Sequence, residues 1–358
     1  MTAPLETETD PEAAVAGLGA TESAAPDARN ARQATILDWP LLAAALLGAL
    51  LLPWLFHSTY WLKILILICI FAIVNQSWNL IMGYAGIWSF AQLALFVLGG
   101  YTTALLGKNY GVSPYLGTLA GGLVAVLAGL VIGLPSLRLK GAYVFLLTIG
   151  FHEFFRNLFI LDTSQRFGGQ YGLTGFGKWD FGGATSVERL TRIYYVALLL
   201  LIIISLIIWK IIHSPLGLAF RALRDAEPYA AARGVPEYRF KLIVFSISAF
   251  FTGLAGAFYA HYIGSISPGN LDFGDLMNRL TMIVVGGWGT FWGPILGTIV
   301  VRYFDERLRD IDQWRVLIFG ATMVVVVIFL PEGLVGPLNA LKRRAALAIE
   351  RRLPKRRP

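Results

Sequence analysis

The chain has 358 residues, 56% hydrophobic and only 15% charged, with a formal net charge of +8. That charged fraction, against about 25% in soluble domains, and a mean hydropathy of +0.63 exclude an ordinary soluble enzyme and point to one polytopic membrane domain. The single cysteine, Cys69, lies in an apolar run, which excludes an intramolecular disulfide.

Residues 1–35 are rich in Ala, Glu, Pro and Thr, and Glu6, Glu8, Asp10, Glu12, Glu22 and Asp27 outweigh Arg29 and Arg32. They lack an apolar stretch and predict a disordered acidic tail rather than a signal peptide. Apolar runs follow at 36–56, 62–82, 86–106, 115–134, 141–160, 193–213, 241–263, 279–301 and 314–330. About 20 apolar residues cross a hydrocarbon core, so residues 36–336 predict an all-α polytopic membrane domain of about eight to ten transmembrane helices. Residues 337–358 form a basic tail with Lys342, Arg343, Arg344, Arg351, Arg352, Lys355, Arg356 and Arg357 against Glu350. A basic tail can meet nucleic acid, but after a hydrophobic span it marks the cytoplasmic side.

The loops set the orientation. Arg138 and Lys140 stand between two runs, and Arg221, Arg224, Arg233, Arg239 and Lys241 stand in Ser214–Lys241, so both loops are predicted cytoplasmic. Segment 161–192 is rich in Gly and aromatics, is nearly charge-balanced, and fits the outer face. If every later run crossed, the basic tail would end outside. One run must therefore turn back. The candidate is "VVGGWGTFWGP", where Gly286, Gly287, Gly289, Gly293 and Pro294 fall within nine residues. In a helix interior Gly costs about 1 kcal/mol and Pro about 3, which predicts a broken or re-entrant segment and cytoplasmic N- and C-termini. "NLIMGYAGIWSFAQLALFVLGGY", with Gly83, Gly86, Gly99 and Gly100, carries a similar break. Paired Gly-interrupted spans predict an internal repeat with a substrate path at mid-membrane. Close helix packing by small residues is the other reading of each span alone.

Enzyme chemistry finds no support in the motifs. His57, His152, His213 and His261 are scattered without metal-ligand spacing. "GGYTTALLGKN" has the wrong spacing for a phosphate loop, and Asn109 follows Lys108 where Ser or Thr is needed. The chain is therefore expected to bind no metal, ATP or other cofactor itself. Glu153 and Arg156, beside His152 in run 141–160, can pair at i,i+3. An ion pair fixing helix position, a substrate contact and proton coupling all remain open for Glu153. Asn75, Gln76, Asn79 and Gln92 can hydrogen-bond between helices or line a polar path. Trp54, Tyr60, Trp61, Tyr194, Tyr195 and Trp314 near run ends are expected as interface anchors.

Within Ser214–Lys241, a helix from about Leu216 to Asp225 and a second piece restarted by Pro228 and closed near Gly234 are predicted. The pattern Arg224-Asp225-x-Glu227, then Ala230, then Gly234, resembles the coupling loop of ABC importer permeases. "SPLGLAFRALRD", "YRFKLIVFSISAFFTGLAGAFYAHY", "LPSLRLKGAYVFLLTIGFHEFFRNLF", "MIVVGGWGTFWGPILGTIVV" and "VIFLPEGLVG" resemble, in order over about 60–336, the branched-chain amino acid permease family, LivM type. Pro228 and Tyr229 depart from the usual apolar/Ala stretch after the Glu.

The resemblance implies a multi-pass permease subunit of an ABC importer in a bacterial inner membrane. Its implied partners are a second, LivH-like permease, two cytoplasmic ATPases that use ATP and Mg, an extracytoplasmic solute-binding protein and the lipid bilayer, with no nucleic acid. Its implied substrates are branched-chain amino acids, or urea, amides or small carboxylic acids. The coupling residues would be Arg221, Arg224, Asp225, Glu227, Ala230 and Gly234. The candidate path comprises Gly83, Gly86, Gln92, Glu153, Gly286, Gly287 and Gly289. A proton- or sodium-coupled carrier built on Glu153 is the rival from another class.

Overall fold

The structure is a computed structural model that describes residues 47–55, 58–136, 138–139, 141–162, 166–183, 185–308, 314–330 and 333–337. The acidic tail, most of run 36–56, and the basic tail beyond Pro337 lie outside the described residues. The chain divides into compact units 1–52 and 53–358. In the first, residues 47–52 are described and helical.

The second unit holds ten helices of 14 residues or more among the described residues. In chain order they are α1 (Thr59–Asn79), α2 (Gln92–Tyr110), α3 (Pro114–Ser136), α4 (Ala142–Ile160), α5 (Ser186–Ile212), α6 (Pro215–Ala232), α7 (Glu237–Ile263), α8 (Phe273–Gly286), α9 (Gly293–Arg307) and α10 (Arg315–Phe329). The strands β1 (Leu173–Thr174) and β2 (Ser265–Ile266) pair antiparallel. The protein is an all-α polytopic membrane protein. Among the described residues four helices, α1 with its π-helical extension to Tyr84, α3, α5 and α7, are long and apolar enough to span a membrane.

Small residues let the central helices touch along their backbones. α7 packs against α2 and α3. A Cβ at Gly121 of α3 would lie 2.6 Å from the Gly99 carbonyl of α2 and 2.8 Å from Ala257 of α7. Gly253 and Gly256 of α7 likewise lie against Ala125 and the Phe96 carbonyl. Their side-chain-free faces give van der Waals contact where lipid gives helices no hydrophobic reason to associate.

Two ends of the bundle follow from the contacts. At one end α5 runs through Ser214, whose hydroxyl accepts from the Leu216 amide at 3.2 Å, into α6, and α7 leaves from α6. At the other end of α7, His261 Nδ1 meets the Gly177 carbonyl and Trp179 Nε1 donates to the Phe258 carbonyl at 3.2 Å. The Gly-rich segment 166–183 therefore lies opposite α6.

Both Gly-rich runs are broken. α1 widens into a π turn over Leu80–Tyr84, with the Ala85 amide reaching the Leu80 carbonyl at 3.3 Å. Gly86 then takes φ +71, and residues 86–90 are non-helical before α2 starts at Gln92. The run expected at 86–106 therefore begins six residues late, because left-handed backbone at Gly86 cannot continue a right-handed helix. The run expected at 279–301 is a helical hairpin. α8 and α9 have 14 and 15 residues, about 21 Å each at 1.5 Å per residue, too short to cross about 30 Å of hydrocarbon.

The hairpin's open ends lie together: α8 begins at Asp272, paired with Arg156 at 3.2 Å, and Asp275 near that start shares one pocket with Arg302 near the end of α9. Its turn, with Gly287 at φ +114 and Gly289 at φ +69, reaches the α6 end. α10 then returns toward that same turn, where the Leu334 amide donates to the Val285 carbonyl at 2.9 Å. Tyr194, expected as an interface anchor, is instead 2% exposed inside the helix packing, whereas Trp54, Tyr60 and Trp314 are exposed.

Candidate functional site

The site grows out of α6. Ser214 caps it and Pro215 occupies its first turn, where a missing N–H costs nothing. Ala226 breaks the helix with φ −154 and ψ 72, two residues before Pro228, so two short pieces form as the sequence predicts. Gly217, Ala219, Phe220 and Leu223 bury the inner face of the first piece, and Gly234, at φ +86, ends the second in open space.

α6 holds the ends of three spans. Arg224 Nη1 donates to the Gly83 carbonyl in the π turn of α1 at 2.7 Å, and its Nε donates to Asp225 at 2.8 Å. Arg221 Nη2 donates to the Ile212 carbonyl at the end of α5, at 3.5 Å. Lys241, in the first turn of α7, bridges Glu227 and Glu237 at 2.7 Å each. Ala230, expected on a docking face, is buried at 7% exposure, because the Glu227–Lys241 bridge draws the second piece toward α7. Tyr229, Arg233 and Gly234 face outward.

The two broken segments meet at Arg224. Asn79 Oδ1 accepts from the Gly289 amide at 2.8 Å, and Asn79 Nδ2 donates to the Thr290 carbonyl at 2.9 Å. A Cβ at Gly83 would lie 2.5 Å from Gly289 N and 2.8 Å from its Cα, and one at Gly86 would lie 2.7 Å from Arg224 Cγ. Trp88 and Trp288, one from each break, meet edge to face at 4.9 Å. The breaks thus form a packed junction at the α6 end. Glycine is required here by close approach at Gly83 and by positive φ at Gly86 and Gly289.

The other candidates separate from this junction. Gly286 and Gly287 shape the hairpin's apex, Gly286 against the Gly293 backbone. Gln92 is buried in the α2–α7 seam, where its Oε1 accepts from Thr252 at 2.9 Å. Glu153 is partly exposed on α4, 3.7 Å from Arg156, which also pairs with Asp272. Asn75 and Gln76 link α1 to Thr298 of α9 and Ser205 of α5, at 2.8 and 2.7 Å. Among the described residues no three His, Cys, Asp or Glu side chains converge as metal ligands.

One cluster escaped the sequence reading. Arg279 of α8, only 5% exposed, lies with its guanidinium carbon 3.7 Å from the centre of the Phe71 ring. It borders a pocket of about 130 Å³ with Asn278, Asp275 and Tyr259. The signal was available: Arg279 is an ionisable residue inside an apolar run. It stood at the run's edge, where a charge reads as a boundary.

Comparison with known proteins identifies the architecture. The family described as branched-chain amino acid transport system / permease component matches residues 60–327. The chain belongs to that family. The permease is similar to the high-affinity branched-chain amino acid transport system permease protein LivM of Salmonella typhimurium, 32% identical over 287 residues, covering 74% of this chain and 67% of that protein. It is similar to LivM of Escherichia coli K12, also 32% identical, over 77% of this chain and 71% of the relative. The autoinducer 2 import system permease protein LsrC of Photorhabdus laumondii is 26% identical over 75% of this chain and 87% of its own length. No solved structure matches the permease.

Proposed function

We propose that this permease is one membrane-spanning subunit of an ABC importer for branched-chain amino acids in a bacterial inner membrane. It works with a second, LivH-like permease, two cytoplasmic ATPases and an extracytoplasmic binding protein. The ATPases hydrolyse ATP with Mg as cofactor, and this chain supplies the pathway and the lever. The observation that carries the reading is the grip of α6: Arg224 bonds Gly83 and Glu227 pairs with Lys241, while Tyr229 and Gly234 stay exposed. A push on the exposed edge is passed to the ends of α1, α5 and α7 and to the tip of the α8–α9 hairpin. Packed junctions of this kind switch between discrete arrangements rather than deform continuously. The basic loops favour a cytoplasmic α6, and the return of α10 to the same end supports a cytoplasmic C-terminus.

The proton-coupled alternative needs an acid whose charge is controlled within the membrane. Glu153 is 44% exposed and paired with Arg156, a surface arrangement that gives that reading little support. The test is uptake of labelled leucine by the complete complex in proteoliposomes. Uptake that needs ATP and survives collapse of the proton gradient is expected. Uptake driven by a proton gradient without ATP would overturn the reading, and ATP-driven uptake of urea or amides alone would move the substrate.

A further inference from the structure

The buried guanidinium of Arg279 is not explained by the junction or the lever. It lies on α8, the half of the hairpin that starts opposite α6. Its Nε and Nη1 are buried and make no hydrogen bond. It faces Phe71 at 3.7 Å and Phe96 at 5.5 Å. A cation–π contact contributes about 2 kcal/mol when desolvated, whereas burying an ion costs several kcal/mol. The faces of two rings do not offset that cost, and they leave N–H donors unused. Arg302, the other guanidinium at the pocket, is engaged by Asp305 at 2.5 Å and Glu306 at 3.6 Å. Asp275, one turn before Arg279 on the same pocket, supplies a nearby opposite charge, yet the Nε and Nη1 donors remain without a hydrogen bond.

The neighbouring residue holds the complementary atom. Asn278, 5% exposed, borders the same pocket, and its Oδ1 is a buried acceptor without a hydrogen bond. Leu67, Phe71 and Met282 supply the apolar wall. At roughly 10–15 Å³ per water-sized site, the pocket admits about ten non-hydrogen atoms. A larger polar cavity of about 330 Å³, between Tyr60, Lys63 and Glu306, shares Leu67 and Arg302 with it and adjoins it at the end opposite α6.

We infer that this pocket is a binding site for a zwitterionic α-amino acid with an apolar side chain. Arg279 takes the carboxylate, Asn278 Oδ1 accepts from the ammonium, and the apolar side chain lies on Leu67, Phe71 and Met282. A carboxylate neutralises the buried guanidinium, which the carbonyl of an uncharged amide or urea does not, so a charged carboxylate is favoured over those solutes. Unmet buried polar groups penalise the wrong solute more strongly than matched ones reward the right one. The inference rests on the importer reading and locates where this chain would hold its solute.

The test uses the complete complex in nanodiscs without binding protein, measuring direct binding of labelled leucine, isovalerate and leucinamide. Leucine should bind tighter than either analogue. Arg279→Gln should weaken leucine and isovalerate about tenfold to a hundredfold, the range for hydrogen bonds to a charged group, and weaken leucinamide, whose carbonyl accepts but carries no charge, less. Asn278→Ala should weaken leucine and leucinamide and leave isovalerate unchanged. Size-exclusion of the assembled complex checks folding. If Arg279→Gln does not assemble, the Asn278→Ala pattern and the wild-type ligand order decide the matter. Equal binding of all three ligands to wild type, or leucine binding untouched by either variant, overturns the inference. ATP-driven leucine uptake by the wild type alongside that result would leave the importer reading standing. Failure of the wild type to import leucine with ATP would bring down the reading itself.

Discussion

Arg224→Ala removes a side chain that joins α6 to both broken segments. The lost bond is a charged donor on the Gly83 carbonyl at 2.7 Å, and hydrogen bonds to charged groups contribute about 1.5–3 kcal/mol. The second contact, to Asp225 at 2.8 Å, joins two partly exposed groups and adds at most about 1 kcal/mol. Asn79 remains hydrogen-bonded to Gly289 and Thr290, with Gly83 packed against them, so the junction itself should persist. The expected loss is therefore in transmission: solute moved per ATP should fall about tenfold to a hundredfold while the complex assembles and hydrolyses ATP. Arg224→Lys should restore part of it, since an ammonium reaches one acceptor but lacks the fork. The assay is parallel measurement of phosphate release and leucine uptake in proteoliposomes. An unchanged ratio in Arg224→Ala would refute the lever.

Other outcomes follow from the same contacts. Gly83→Val forces a side chain onto Gly289 backbone that cannot yield cheaply. It should cost about 1–3 kcal/mol and lower the thermal midpoint of the detergent-purified protein. Gly253→Leu drives a side chain into Ala125 and the α3 backbone, and should lower that midpoint at least as far. Lys241→Met leaves Glu227 and Glu237 without their shared cation. Raised hydrogen exchange confined to 226–237 is the expected mark of that change.

The spans α1, α3, α5 and α7 were legible because length and apolarity alone report membrane crossing. The hairpin was legible because glycine and proline at 286–294 forbid a continuous helix and the charge pattern forbids a crossing. What the sequence lacked was depth. The glycines Gly83 and Gly289 mark a break equally well at mid-membrane or at one end, and only their contact with Arg224 places the junction. Local spacing singled out Glu227 as a candidate, but its pairing with Lys241 spans a turn whose geometry no pattern encodes. Glu153 read as an intramembrane acid because its neighbours are apolar, yet α4 turns it toward the periphery. Arg279 was passed over for the opposite reason. It stands at the rim of an apolar run, and its burial comes from Phe71, about two hundred residues away in sequence.

Contact mapping from the two ends of the bundle tests the central claim most directly. Tyr229 on α6 and Tyr171 in the Gly-rich segment are 78% and 91% exposed. A photo-crosslinking residue placed at each, in the complete complex in membranes, reports which partner each end meets. The account predicts that position 229 captures an ATPase subunit and position 171 captures the binding protein. Capture of the binding protein at 229, or of an ATPase at 171, would contradict it.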